Sequence, residues 1–423
     1  MNRSSHVRVI MHLVNTRTRE LHTFIDAESA PRYAILSHRW GAQEVSYKDF
    51  RKRRMRGTEG YRKIMDSCRF ARAHGVDWIW IDTCCIDKRS SAELTEAINS
   101  MFRWYARAKV CYAYLADVKG LQRQSDGKEG LMREFEKSTW FRRGWTLQEL
   151  IAPREVIFLC DDWTIIGSKR PMGSHSYHHA VEANLNETIS DITGILKEIM
   201  SNRGKMYSTS VAQRMSWAAR RSTTRVEDMA YCMLGLFGIN MPLVYGEGRS
   251  AFARLQAAII SSINDETVFA WTTWDTAPGP EYVSGILASL PAEFAHAGCV
   301  SGQQLHSRPP FRLTNGSIEI RIPSGVNAGA YRDRRVNSDK ILLELNCSSG
   351  VDQVHPHDEA TASSTITLVR LSCGHYGRNH ERIPPLGSRV FSRDWVRFDA
   401  DVEEALFVHC SRADHLNCWN TRG

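Results

Sequence analysis

The sequence lacks the features that would direct a protein into a membrane or a secretion pathway. Its first 20 residues are polar and contain no apolar signal core. No apolar run approaches the roughly 20 residues that a membrane-spanning helix needs. The eleven cysteines are scattered, their number is odd, and no Cys-x-x-Cys pair occurs, which is typical of a reducing compartment. We therefore predict a soluble, intracellular, cytoplasmic protein without a membrane partner.

Motifs for metal binding and for nucleoside-triphosphate hydrolysis are also missing. Two groups of histidines lack the HExxH spacing of zinc proteases: His175, His178 and His179, and His355 and His357. We expect both groups to lie in solvated loops, and we predict no metal site and no prosthetic group. The glycines at 246 and 248 are not followed by the Lys-Ser/Thr of a phosphate loop, which argues against a nucleoside triphosphatase.

The composition is that of an ordinary globular protein. The chain has 423 residues, of which 42% are hydrophobic and 24% charged, with a net charge of +8. This length predicts two or three domains, and the charge permits an anionic partner such as a nucleotide without requiring nucleic acid. A basic run at residues 51–56 could bind phosphate, nucleic acid or an import receptor, but it has no interleaved aromatic residues, so we expect it to be solvated.

Strand and helix patterns alternate through the first 165 residues. Apolar runs at 33–37, 78–81, 110–115 and 155–160 predict buried strands, and apolar residues at helical spacing separate them. Alternation of this kind predicts a parallel sheet with helices on both faces. Helical patterns then extend from 211 to 263, and strand patterns follow, with a hairpin turn at Asn315-Gly316. We predict an α/β domain over 1–165, a helical extension packed on it over 166–270, and a β-rich domain over 271–423.

Polar residues of functional type follow the predicted strands. Parallel sheets bind ligands beyond the carboxyl ends of their strands. The residues expected there are Ser37, His38, Arg39, Trp40 and Gly41 after the first strand, Asp82, Cys84, Cys85 and Asp87 after the second, and Asp117 after the third. Arg39 could hold a phosphate. Adjacent cysteines do not have zinc-site spacing. A cysteine nucleophile is the alternative here, but Asp82 is the better polar candidate.

The segment 145–151 carries the most informative pattern in the chain. If it is helical, Leu147, Leu150 and Ile151 share one face and the opposite face carries Trp145, Gln148 and Glu149. A Trp beside a carboxylate on a free face is typical of a pocket wall. The alternative is a solvated Glu on a surface helix, because an ionised Glu is normally exposed.

Three blocks of the sequence resemble the fungal heterokaryon-incompatibility (HET) domain. They are YAILSHRWG at 33–41, WIDTCCIDK at 80–88 and FRRGWTLQEL at 141–150. The segments 214–231 and 241–248 are similar to the region that follows HET domains in many fungal proteins, so the resemblance covers about 30–275. The order of elements is similar to the flavodoxin-like sheet of Toll/interleukin receptor (TIR) domains. The run 138–150 resembles the Ser-x-Trp-Cys-x-x-Glu-Leu motif of enzymatic TIR domains, but four residues separate Trp140 from Trp145, and Thr146 stands where Cys is usual.

The TIR resemblance implies an NAD⁺ glycohydrolase whose outcome is cell death. It implies Glu149 as the catalytic carboxylate, NAD⁺ or a related nucleotide as the substrate, and activity in a self-associated state. The substrate-binding residues expected are Ser37, His38, Arg39, Trp40, Gly41, Asp82, Cys85, Asp87, Trp145 and Gln148. The main alternative is a non-catalytic death-signalling module that works by self-association, in which Glu149 and Asp82 build an interface or a structural network. A nuclease that uses the basic run is a third hypothesis.

Overall fold

In the computed structural model, the described residues are 10–25, 27–124, 126–179, 181–272, 283–303, 309–314, 317–322, 330–333, 340–349, 362–370, 376–379, 395–397 and 404–409. The chain divides into two compact units, one made of Met1–Met206 with Arg221–Leu243 and the other of Tyr207–Arg220 with Val244–Gly423. The predicted helical extension, 166–270, is shared between these units. The predicted domain limits stay a prediction.

A seven-stranded sheet forms the centre of the first unit. Its strands are β1 (Met11–Asn15), β2 (Leu21–Phe24), β3 (Ala34–His38), β4 (Trp78–Ile81), β5 (Val110–Tyr114), β6 (Val156–Leu159) and β7 (Ile165–Lys169). They lie in the order β2-β1-β4-β3-β5-β6-β7. The four central strands, β4, β3, β5 and β6, are parallel, which confirms the predicted α/β class and the parallel centre of the sheet.

The edges of this sheet were not predicted. Strand β1 pairs antiparallel with β4 and β2, and β7 pairs antiparallel with β6. The physical reason is visible in β2, whose two middle residues, His22 and Thr23, are exposed. An edge strand of this kind has no continuous apolar run, whereas the central strands are buried on both faces and do.

The α-helices among the described residues are α1 (Tyr47–Arg51), α2 (Glu59–Ala73), α3 (Ser91–Arg107), α4 (Gly127–Lys137), α5 (Thr146–Ile151), α6 (Asn186–Thr193), α7 (Lys197–Ser201), α8 (Val211–Ser216), α9 (Asp228–Tyr231), α10 (Leu234–Phe237) and α11 (Ser250–Ser262). Helices α8 and α11 belong to the second unit. Side chains cap both long helices between the central strands. Thr58 accepts from the backbone N–H of Tyr61 at the start of α2, and Ser90 accepts from that of Glu93 at the start of α3.

The second unit contains a ten-stranded sheet. Its strands are β8 (Val283–Ser284), β9 (Val300–Gly302), β10 (Arg312–Thr314), β11 (Ser317–Ile322), β12 (Ala330–Asp333), β13 (Lys340–Ser349), β14 (Ala362–Arg370), β15 (Tyr376–Asn379), β16 (Trp395–Arg397) and β17 (Glu404–His409). Strands β10 and β11 pair antiparallel, although the predicted turn at Asn315-Gly316 lies outside the described residues. Within the described ranges, no helix has the length and apolar character to cross a membrane.

Candidate functional site

Glu149 lies in a helix that is buried on every side. All six residues of α5 are buried, with Gln148 1% and Glu149 8% exposed, and only the preceding Trp145 is half-buried. The alternative of a solvated surface Glu is therefore wrong. Gln148 and Glu149, which were expected on the pocket-wall face, are buried like the residues of the expected core face. The sequence of so short a helix does not indicate which of its faces other segments cover, so the amphipathic pattern was misleading.

The carboxyl group of Glu149 is held at the carboxyl end of the central strand β3. The hydroxyl of Ser37 donates a hydrogen bond to Glu149 Oε2, and the indole Nε1–H of Trp140 donates to the oxygen of Ser37 at 2.8 Å. Burial raises the pKa of Glu149 to about 8. The negative charge of Asp82 adds to this rise, while hydrogen bonds from Ser37 and Tyr105 and the charge of Arg143 oppose it.

Arg221 anchors the start of α5, and sequence reasoning missed it. Its buried guanidinium donates to the carbonyl oxygen of Arg143 at 2.9 Å and to the hydroxyl of Thr146 at 3.0 Å. Burial lowers the pKa of Arg221 to about 10. Thr146, which occupies the position where TIR-like motifs carry Cys, also lies 2.6 Å from the carbonyl oxygen of Trp140. A buried cation that recognises backbone carbonyls leaves no periodic signal in a sequence.

Ser138 and Asp117 form a local cap. The hydroxyl of Ser138 donates to Asp117 Oδ1 at 2.8 Å, and Asp117 Oδ2 accepts from the backbone N–H and the hydroxyl of Thr139 at 2.8 and 2.6 Å. Burial would raise the pKa of Asp117, but these hydrogen bonds outweigh it and lower the pKa. Asp117 therefore fixes the 3-10 turn Thr139–Arg142, which carries Trp140.

A second cluster occupies the ends of β3 and β4. The indole of Trp40 donates to Asp82 Oδ2 at 2.7 Å, and Lys88 Nζ lies 3.5 Å from the centroid of the Trp40 ring. The buried ring of His38 lies between two carboxylates, 3.8 Å from Asp82 and 3.7 Å from Glu44. Sequence reasoning missed Glu44 because its role depends on contacts with other segments.

Glu44 holds the loop that follows β3. Its Oε1 accepts from the backbone N–H of Gly41 at 2.6 Å and from Lys63 at 2.5 Å. Burial would raise the pKa of Glu44, but His38, Lys63 and the Gly41 N–H together lower it to about 2. The loop is thus tied to α2 by a charged hydrogen bond, which gives the residues after β3 a defined arrangement.

A groove of about 940 Å³ opens beside this loop, and its wall includes Arg39, Trp40 and Gly41. Glu149, Asp82, Trp145 and Gln148 do not line it. The two sides follow from the pleat of β3, because neighbouring side chains on a strand point to opposite faces. Ser37 bonds Glu149 on one face, and His38 meets Glu44, a groove residue, on the other.

Cys85 and Asp87 take part in local structure. The buried Cys85 Sγ lies 3.3 Å from the backbone N–H of Ile81, and Asp87 accepts two hydrogen bonds from the guanidinium of Arg89, at 2.8 and 2.6 Å. Burial raises the pKa of the neighbouring Cys84 well above its ordinary value, which disfavours the thiolate that a nucleophile needs.

The histidine segment before residue 180 differs in part from expectation. His175 and His179 are exposed, as predicted, but His178 is buried against His74, with ring centroids 3.2 Å apart. Burial lowers the pKa of His178 to about 4. His355 and His357 lie outside the described residues. Within the described part of the chain, no group of three or more His, Cys, Asp or Glu residues could hold a metal ion.

Comparison with known protein families gives a match to part of the first unit. The model of the family described as "Heterokaryon incompatibility protein (HET)" matches residues 33–129. The chain contains a HET domain. The matched segment begins just before β3 and ends in α4, so it includes the strand-end loops and the groove residues up to Ala116 but not Glu149.

A curated relative extends this similarity. The HET-domain chain is 46% identical over 233 residues to the Vegetative incompatibility protein HET-E-1 of Podospora anserina. The aligned segment makes up 54% of this chain and 16% of the relative, so the chain spans only a small part of that protein's length. No solved structure matched the chain significantly.

Proposed function

We propose that this HET-domain protein is a cell-death effector of heterokaryon incompatibility that hydrolyses NAD⁺ at the nicotinamide–ribose bond. The observation that carries the proposal is the carboxyl group of Glu149, held by Ser37 at the end of the central parallel strand. The order of the parallel strands supports it. Numbered along the chain they lie 2-1-3-4, which is the flavodoxin-like order, with the ligand crevice at the ends of the first and third.

The chemistry requires one carboxylate at the ribose. Departure of nicotinamide leaves an oxocarbenium-like ribose. An ionised carboxylate stabilises the positive charge of this ribose and accepts hydrogen bonds from its hydroxyls. Glu149 would have this role, and water would then attack the anomeric carbon. The half-buried Trp145 would stack on a ring of the substrate.

The raised pKa of Glu149 is compatible with this role because the substrate is itself cationic. At a pKa of about 8 the empty site holds mostly the neutral acid at pH 7. A pyridinium charge about 4 Å from the carboxylate favours its ionised form by roughly 4 kcal/mol at an effective dielectric constant of about 20. That interaction is enough to ionise Glu149 at neutral pH, so Glu149 would release its proton to solvent when NAD⁺ binds.

Nicotinamide release from NAD⁺ by the purified chain tests the proposal. Glu149→Gln keeps an acceptor for Ser37 but removes the charge, so we expect it to lose about 10²-fold or more of the activity. Glu136→Gln, an exposed position on α4, is the matched control and should leave the rate unchanged. Equal rates in wild type and Glu149→Gln would remove Glu149 from the mechanism. No turnover by wild type at any protein concentration would reject the enzyme.

We also propose that the active form is self-associated, as the TIR resemblance implies. The specific rate of nicotinamide release should then rise with protein concentration. Light scattering on the same samples would relate the rate to the oligomeric state. A monomer that keeps its full specific rate on dilution would contradict this part of the proposal and leave the role of Glu149 untouched.

One observation favours a second candidate, a death-signalling module without catalysis. Glu149 is 8% exposed, lies outside the groove and has a protein partner in Ser37, which suits a structural carboxylic acid. On this hypothesis the toxicity of the expressed protein survives Glu149→Gln, and cellular NAD⁺ stays constant while cells die. Loss of NAD⁺ before death in wild type, and survival of Glu149→Gln cells, would exclude it.

A further inference from the structure

The groove on the α2 side of the sheet has an aromatic wall. The rings of Tyr114 and Trp163 are stacked with centroids 4.9 Å apart and planes inclined by 27°. Phe70 of α2 extends the wall, 5.8 Å from Trp163. All three residues line the groove. An aromatic ring that is open to a groove on one face accepts a planar ring by stacking.

Trp163 is held in an unusual backbone conformation. Its φ is +68°, in the left-handed region, which costs a bulky residue roughly 1–2 kcal/mol. The turn between β6 and β7 imposes it. Asp162 accepts from the backbone N–H and hydroxyl of Thr164, at 3.0 and 2.6 Å, and the Trp163 N–H donates to the carbonyl of Cys160 at 3.0 Å. Strain that persists at the edge of a cavity is typical of a functional position.

Two guanidinium groups of the groove have no acidic partner among the residues that the structure describes. Among the lining cations, Lys63 pairs with Glu44 and Arg69 with Asp66. Arg39 and Arg62 make no ion pair in the described part of the chain, and the one polar contact of Arg39 there is with the hydroxyl of Thr139 at 3.4 Å. Unpaired guanidiniums beside an aromatic wall suit a ligand that carries both an aromatic ring and a phosphate.

We propose that this groove binds a nucleoside monophosphate, with its base stacked on Trp163 of the aromatic wall and its phosphate on Arg62 and Arg39. The volume of about 940 Å³ is within the range of ligand pockets, roughly 300–1,000 Å³. The carboxylate of Glu59, which also lines the groove, can accept from the ribose hydroxyls. The site is separate from NAD⁺ cleavage, because Glu149 lies on the other face of the sheet and does not line the groove.

Isothermal titration calorimetry of the full chain tests the proposal with four probes: AMP, GMP, adenosine and ribose 5-phosphate. We expect AMP to bind at least about tenfold more tightly than adenosine or ribose 5-phosphate, because each of those lacks one of the two recognised groups. GMP should bind with similar affinity, since stacking tolerates either base. A wild-type protein that binds none of the probes at millimolar concentration would overturn the proposal.

Variants separate this site from the rest of the protein. Trp163→Gly removes the aromatic wall at a position whose positive φ suits glycine, so the fold should survive and AMP binding should be lost. Arg62→Ala should weaken AMP at least about tenfold and leave adenosine unchanged. The exposed Arg54→Ala and Glu149→Gln should both bind AMP like wild type.

Three outcomes would contradict the proposal. The first is AMP binding that is unchanged in Trp163→Gly. The second is equal affinity for ribose 5-phosphate and AMP, because that result would indicate an anion site without base recognition. The third is a folded Glu149→Gln variant that no longer binds AMP, because that result would mean that the groove and the Glu149 site are one site. None of these measurements depends on NAD⁺ hydrolysis, so a failure here is distinct from a failure of the proposed activity.

Discussion

Ser37 donates a hydrogen bond to Glu149, which lies 112 residues further along the chain. This bond joins the end of the central strand β3 to the buried helix α5. The same Ser37 oxygen accepts from the indole of Trp140 at 2.8 Å, so three segments meet at one hydroxyl. The surrounding residues therefore determine both the position of this carboxyl group and its ionisation state.

The first prediction concerns the pH dependence of stability. Burial raises the pKa of Glu149 from 4.5 to about 8 in the folded chain, so between these values the folded state binds a proton that the unfolded state has lost. This contribution to the free energy of unfolding is complete below about pH 4.5 and falls as pH rises to about 8, by at most about 1.4 kcal/mol per pH unit. Urea unfolding at pH 5 to 8.5 should show that wild type loses stability relative to Glu149→Gln as pH rises. A difference that does not change with pH would contradict the buried neutral acid.

The second prediction concerns the Ser37 hydroxyl. Its hydrogen bond lowers the pKa of Glu149 and so opposes the effect of burial. Ser37→Ala should therefore move the Glu149 titration to higher pH, which carbon NMR of labelled glutamate side chains would measure. Ser91→Ala, at an exposed position on α3, is the control and should leave the titration in place. A shift to lower pH in Ser37→Ala would mean that Ser37 does not stabilise the ionised form.

The third prediction concerns Asp117, which accepts three hydrogen bonds from Ser138 and Thr139. Asp117→Ala should lower the free energy of unfolding by about 1–3 kcal/mol, because the turn that carries Trp140 loses its cap. Glu136→Ala should change it by less than about 0.5 kcal/mol. Since the pKa of Asp117 is lowered from 3.8, its contribution is present above pH 3.8 and is lost as pH falls below it. Equal stability of the two variants at pH 7 would refute the capping role.

The fourth prediction concerns the contact between α10 and α3. A Cβ at Gly235 would lie 2.2 Å from the Cβ of Phe102, whereas a Cβ at Gly57 would meet nothing within 4 Å. Gly235→Ala should therefore destabilise the protein by at least about 1–3 kcal/mol, or prevent folding, while Gly57→Ala should be tolerated. Thermal unfolding and soluble yield of the two variants give the comparison. Equal melting temperatures would show that α10 and α3 can move apart without a loss of stability.

The four parallel strands were predictable because their signal is local. The runs that contain Ile35, Trp80, Tyr112 and Phe158 are apolar on both strand faces, and all four of these residues are buried. The edge strand β2 gave no such signal, since it exposes His22 and Thr23. Helix α5 was predicted with the wrong environment, because helical periodicity describes a helix with one covered face and α5 is covered on all of them.

The candidate site was predictable only as a set of residue types. Arg39, Trp40 and Asp82 stand at strand ends in the sequence, and the structure places them there. The partners of the predicted residues could not be predicted in the same way. Glu44 bonds Gly41, Lys88 contacts the ring of Trp40, and Ser37 bonds Glu149. A hydrogen bond between residues far apart in the chain has no periodic signature, so Glu44 and Arg221 could not be found by pattern.

The sequence by itself determined the parallel core and the polar residues that follow its strands, because both depend on side-chain periodicity within a few residues. Only the tertiary structure decided which partners Ser37 and His38 meet on the two faces of the sheet, Glu149 for the first and Glu44 for the second. It buried Glu149 on one face and assembled the groove of Arg62, Tyr114 and Trp163 on the other. Burial and distance govern the pKa of a carboxyl group and the shape of a cavity, and both are set by segments that meet only when the chain folds.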